Sequence, residues 1–97
     1  MYEINNQIVN QAYDKLKVQI VVETPKFDIL SISLEKNAIF PNHSSPNDAV
    51  LIVLEGAILF HIDGEKYQLI KHQRFDFPKQ TEHWVQANEN SKFLIIR

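Results

Sequence analysis

The strongest constraint on this chain is a two-residue turn. Asp63-Gly64 separates two runs of strand-forming residues, Ala57 to Ile62 and Lys66 to Ile70. Asp-Gly supplies the positive φ that a tight hairpin turn needs at its centre, so the two runs pair as antiparallel strands. The same period-two pattern recurs on either side. Val18, Ile20 and Val22 share one face of a segment starting at Lys17, with Lys17, Gln19 and Glu23 on the other. From Phe27 to Leu34 the apolar set is Leu30, Ile32 and Leu34, and the opposite face carries Ser31 and Ser33, which are expected to face water, with pocket lining as the alternative. Ala49 to Glu55, Phe75 to Phe77, Glu82 to Ala87 and Phe93 to Ile96 complete a set of eight or nine short strands. Close spacing without a long helix reads as an all-β sandwich or barrel.

The breaks support that reading. Glu35-Lys36-Asn37 is a turn, and Pro41 to Asp48 is a loop rich in Pro, Asn and Ser. Pro25, Pro41, Pro46 and Pro78 fall between strands or at their ends, where a missing N–H does least harm. Residues 1–16 are ambiguous: Ile4, Ile8 and Ala12 repeat at helical spacing, but Asn5, Asn6 and Asn10 are poor helix formers. They are expected to form an arm, or a strand added to a neighbour's sheet.

One strand is apolar on both faces, with Ala49, Leu51 and Val53 on one and Val50, Ile52 and Leu54 on the other. A strand of a two-layer domain normally shows one face to water. The outer face is therefore expected to be covered, by a second subunit in a homodimer or by the N-terminal arm.

At 97 residues the chain is read as one domain spanning 1–97. Ten Lys plus Arg against twelve Asp plus Glu give a net charge of −2, with no basic stripe of the kind that displaces counterions from nucleic acid. The chain has no cysteine, which excludes disulfides and thiolate chemistry. Its opening residues lack the pattern of a signal peptide and its apolar runs are too short to span a bilayer, so no membrane role and a cytoplasmic location are expected. There is no phosphate-cradling glycine loop and no G-x-S-x-G.

The informative stretch runs from Asn37 to Ala87, where the chain resembles the cupin family. The first cupin motif, G-x5-H-x-H-x3-E-x6-G, falls on Asn37, His43, Ser45, Ala49 and Gly56. The second, G-x5-P-x-G-x2-H-x3-N, falls on His72, Pro78, Gln80, His83 and Ala87. His43, Gly56, Pro78 and His83 match in identity and spacing, and the VLEG at Val53 to Gly56 and the DGE at Asp63 to Glu65 also look like cupin wording. The resemblance implies a double-stranded β-helix, a jelly-roll barrel of two antiparallel sheets. Asn37 and His72 stand where the family has glycines, and both types tolerate positive φ. Gln80 stands at a third glycine position and leaves the shape of its loop undetermined by the sequence.

In typical cupins, the two His and the Glu of the first motif and the His of the second hold a divalent metal. Here His43 and His83 keep two of those positions, while Ser45 and Ala49 replace the others. A neutral hydroxyl is a poor ligand beside imidazole, and a dication without a carboxylate would keep its full charge in an apolar interior. Asp48 should point away from Ala49's face, because side chains alternate along a strand.

His83 shares a face with Val85 and Ala87 and is expected to point inward, as a hydrogen-bonded core residue or as pocket lining. His43, at the exit of the polar loop, is a solvated loop residue or its partner in the pocket. Trp84 points oppositely and is expected at a subunit contact, with ligand stacking second. His61 is read as surface or interface, and His72 as a turn residue. The sequence thus points to a non-catalytic binding or sensing module for a small organic molecule, with no cofactor. His43, Ser45 and His83 would supply its polar contacts, and Phe60, Val85 and Phe93 its apolar wall. Two alternatives are a metal-dependent enzyme with Fe, Mn, Ni or Zn on His43 and His83, and a metal-free epimerase or isomerase using the two histidines as acid and base.

Overall fold

The computed structural model describes residues 1–97. Nine strands follow in order: β1 (Leu16–Glu23), β2 (Asp28–Leu34), β3 (Ile39–His43), β4 (Ala49–Glu55), β5 (Ala57–Ile62), β6 (Glu65–Ile70), β7 (Arg74–Phe77), β8 (His83–Ala87) and β9 (Ser91–Ile96). They form a five-stranded sheet in the order β1-β2-β9-β4-β7 and a four-stranded sheet in the order β3-β8-β5-β6. All pairings are antiparallel. The alternation seen in the sequence decides which side chains meet between the sheets. Ile32, Leu34, Leu51 and Val53 from one sheet pack with Ile58, Phe60 and Val85 from the other, all inaccessible to solvent or nearly so. Each such side chain contributes about 1.5–3 kcal/mol relative to its exposed state.

Asp63 and Gly64 take φ of +53° and +74°, as the hairpin between β5 and β6 requires. Asn37 and His72 sit at φ +71° and +73°. Gln80, whose loop the sequence leaves undetermined, keeps the glycine-like conformation at φ +58°. Its N–H donates to the carbonyl of Ser45 at 2.8 Å, and Asp48 caps the same turn by accepting from the Lys79 N–H at 3.0 Å. The two bonds offset backbone strain that costs roughly 1–2 kcal/mol for an L-residue.

β3 is an addition to the strands read from sequence. Pro41 lies inside it and not at the start of a loop. The strand accommodates a proline because it is an edge strand, paired with β8 alone, and because the register shifts between Phe40 and His43. That bulge brings His43 opposite His83.

Ser31 and Ser33 do not face water; both are fully buried. The segment 7–13 runs over the outer side of the five-stranded sheet and satisfies them. The Ser31 hydroxyl donates to Gln11 Oε1, and the Ser33 hydroxyl to the carbonyl of Ala12 at 2.7 Å. Gln11, itself buried, donates through Nε2 to the carbonyls of Ser31 and Lys17. Lys92 Nζ donates to the carbonyl of Ile8 at 2.8 Å and lies 5.0 Å from the Tyr13 ring centre, while the Tyr13 hydroxyl bonds the Glu55 carboxylate. Leu54 borders the same segment. The arm thus covers part of the outer surface whose apolar character demanded a cover, while Val50 and Ile52 remain half-buried. No helix is long and apolar enough to cross a membrane.

Candidate functional site

The site lies between the sheets, at the end of the barrel where β3 and β8 meet. His83 is the first residue of β8 and is buried with Val85 and Ala87, the inward positions of that strand. His43 ends β3. Their ring centroids are 4.3 Å apart, with the planes inclined at 66°. Aromatic neighbours fix both rings. Phe40 stacks on His43 at 4.2 Å, Phe60 stacks on His83 at 5.1 Å, and Phe77 meets His83 at 4.6 Å.

Hydrogen bonds set the tautomers. His83 Nδ1 lies 2.9 Å from the Thr81 carbonyl and His43 Nδ1 lies 2.7 Å from the Pro41 carbonyl. A carbonyl only accepts, so each Nδ1 carries the proton, and the neutral imidazole presents Nε2 as an acceptor. Burial lowers the pKa of His83 below the ordinary histidine value; the Thr81 carbonyl opposes that shift and His43 adds to it.

All six residues singled out in the sequence line one cavity: His43, Ser45, Phe60, His83, Val85 and Phe93. Leu30, Ile32, Phe40, Phe77, Ile95 and Arg97 complete its wall. The open space is about 30 Å³. Arg97 was missed, although the period-two signal that identified Phe93 continues through Ile95 to Arg97 and would have placed it on the inward face. Phe40 was missed because Pro41 masked its strand.

The other histidines lie elsewhere. His61 stacks on Trp84 with ring centroids 3.6 Å apart and planes nearly parallel, on the outer side of β5 and β8. His72 occupies its turn, its N–H donating to the carbonyl of Val53 at 2.7 Å.

The residues at the family's metal positions do not fit a dication. The Ser45 hydroxyl donates to the Asn47 carbonyl at 2.7 Å, and Ala49 offers no donor atom. Asp48 is exposed and committed to the Lys79 N–H, and Glu82 is exposed and bonded to Asn42. No group of three or more His, Cys, Asp or Glu side chains comes together anywhere in the structure. Two imidazoles remain, with no carboxylate to neutralise the ion.

A jelly-roll barrel with a histidine from each of two neighbouring strands at one end defines a cupin-type β-barrel protein. The comparisons agree: the cupin-domain family model matches residues 30–96. The chain belongs to the cupin family. Among solved structures, it is similar to an RmlC-like cupin from Desulfovibrio desulfuricans, with 24% identity over 99% of this chain and 95% of that one and a TM-score of 0.85. KdgF from a Halomonas species has 24% identity over 99% and 90% of the two chains and a TM-score of 0.82. A conserved protein of unknown function from Streptococcus pyogenes, SPY1581, has 26% identity over 99% and 93%, with a TM-score of 0.77. No curated protein matches the sequence.

Proposed function

We propose that this cupin is a non-catalytic module that binds or senses a small organic molecule at the His43–His83 end of the barrel. The observation that carries the reading is the chemistry of the cavity. Two imidazoles, each holding its proton on Nδ1, sit in an otherwise mainly apolar wall that contains no carboxylate. A few polar groups converging in an apolar cleft is the usual make-up of a small-molecule site. Catalysis by a bound metal has little support from the donor set at Ser45 and Ala49, and no step is derived through one.

A ligand screen by NMR tests the reading. Binders are expected to shift His43 and His83 ring signals together, and His83→Ala is expected to abolish binding. One tightly held metal ion per chain, or a turnover lost in His83→Ala, overturns it.

A second reading has one observation in its favour. Two imidazoles 4.3 Å apart border the same cavity, where both could serve one bound substrate as acid and base, as in a metal-free epimerase or isomerase. Chelator-insensitive turnover with a pH–rate profile set near neutrality is its signature.

We propose further that the protein is a homodimer. β1 is a sheet edge, and Val18 and Ile20 sit opposite the buried Ile32 and Leu30 yet remain 47% and 53% exposed. Pairing with a second copy would cover them. Sedimentation analysis is expected to give a dimer that Ile20→Lys dissociates.

A further inference from the structure

Arg97 follows Phe93 and Ile95 at alternate positions, and its backbone exchanges hydrogen bonds with Asp28 at 3.0 and 2.7 Å. This continues the β2–β9 ladder by one pair, so the Arg97 side chain lies on the inward face and lines the cavity shared by His43, Ser45 and His83. Its Nε is buried and has no hydrogen-bond partner. The ion pairs of the structure, Lys17–Asp14 and Arg74–Asp76, do not include it, and its cross-strand partner Asp28 neither pairs with it nor lines the cavity.

A guanidinium does not shed its proton in a protein. A buried N–H without an acceptor is costly, more so on a charged group. The cavity therefore carries one fixed positive charge and two imidazoles, and no lining residue is acidic. What the cavity lacks is an acceptor for that N–H, and an oxygen anion is the acceptor a guanidinium binds best. The size of the space narrows the choice. It measures about 30 Å³, and a water takes roughly 10–15 Å³ of such space. That is room for two oxygen-sized atoms, with the rest of the ligand lying outward past the half-buried His43.

Building on the binding-module reading, we propose that the ligand is a small carboxylate, anchored by the buried Nε–H of Arg97 and positioned beside the His43–His83 pair. The planar guanidinium matches a carboxylate in geometry as well as charge. The arginine thereby supplies charge complementarity that the altered metal site does not.

The test is an NMR titration of the full chain with propanoate and with propanamide, at constant ionic strength and pH 7. Propanoate is expected to shift the Arg97 Nε–H and the His83 ring signals, and propanamide to bind at least about tenfold more weakly, the loss of one charged hydrogen bond. Arg97→Gln is expected to weaken propanoate by about the same factor and to erase the preference for acid over amide, whereas Arg97→Lys retains part of it. Trp84 fluorescence and the melting temperature confirm that both variants are folded. Equal binding of acid and amide, an unchanged propanoate affinity in Arg97→Gln, or no perturbation of the cavity by propanoate each overturns the proposal. Propanamide binding as well as propanoate at the histidines would leave the binding module standing without its carboxylate. Turnover or a resident metal would instead remove the binding module itself.

Discussion

His43 and His83 face each other across a β-bulge, edge against face, with ring centroids 4.3 Å apart. The bulge exists because Pro41 and Asn42 fall out of the ladder between Phe40 and His43. A regular strand would have turned alternate residues to the opposite face. The irregularity in β3 is therefore what creates the pair.

The burial that lowers the pKa of His83 has a consequence for stability. The unfolded chain takes up a proton near the ordinary value of 6.5, while the folded chain resists it until lower pH. The unfolded state thus binds more protons in that window, and stability falls as pH drops through 6.5 toward the folded pKa. Denaturant titrations between pH 7.5 and 5 are expected to show this loss, and His83→Phe to flatten it. An NMR titration placing the His83 ring at or above 6.5 would contradict the burial argument.

Restoring the family's donor set should restore a metal site. Ser45 and Ala49 are both buried; Ser45 lines the cavity with the two histidines, and Ala49 pairs with Phe77, whose ring meets His83. The double variant Ser45→His, Ala49→Glu adds one imidazole and one carboxylate, giving a three-His, one-Glu set. Zinc affinity measured by competition with a chromogenic chelator is expected to rise by roughly 100-fold or more over the native chain. An unchanged affinity would mean that the barrel end no longer holds these positions in ligating geometry.

Much of this fold was legible because it rests on period two and on turns. Asp63-Gly64 fixed one hairpin, and Leu30, Ile32 and Leu34 fixed the buried face of β2, all from local chemistry. Ser31 and Ser33 were misread as solvent-facing because their cover is the segment 7–13, some twenty residues away in sequence, and nothing in the pattern of β2 announces it. β3 was hidden by Pro41, which is read as a strand breaker unless the strand is known to be an edge. At the site, the match of His43 and His83 to the two cupin motifs makes a shared pocket one of two readings for each, and the structure brings their rings to 4.3 Å. Gln80 shows the limit of residue-type arguments: its unfavourable φ is held by bonds to a loop thirty-five residues earlier, which composition does not reveal.

The two glycines should respond differently to alanine. Both have positive φ, at +84° for Gly56 and +74° for Gly64. A Cβ on Gly64 meets nothing within 4 Å, so Gly64→Ala pays only for the conformation, about 1–2 kcal/mol. A Cβ on Gly56 would lie 2.4 Å from both the Asn90 carbonyl oxygen and Ser91 Oγ. The Ser91 hydroxyl there accepts from the Ala57 N–H at 3.1 Å, so relief of the clash would break a buried bond. Gly56→Ala is expected to cost roughly 3 kcal/mol or more in urea unfolding. Equal losses in the two variants would refute the crowding argument.

The N-terminal arm should be removable by chemistry at either of two points. Gln11 bonds the Ser31 hydroxyl and the carbonyls of Ser31 and Lys17, so Gln11→Ala leaves buried groups unsatisfied at about 1–3 kcal/mol. Tyr13 offers a pH-dependent route. Its pKa is raised to about 12, first by burial and then by its bond to the Glu55 carboxylate. A group held protonated in the folded state stabilises it fully below the unfolded pKa of 10 and loses that contribution as pH rises to about 12. Hydrogen exchange cannot be read at such pH, but limited proteolysis after a brief alkaline pulse can. Cleavage between residues 7 and 15 is expected to increase between pH 10 and 12, and Tyr13→Phe is expected to remove that dependence. If the arm is as protected at pH 12 as at pH 8, the Tyr13–Glu55 bond does not hold it, and the contacts at Gln11 and Lys92 carry its docking alone.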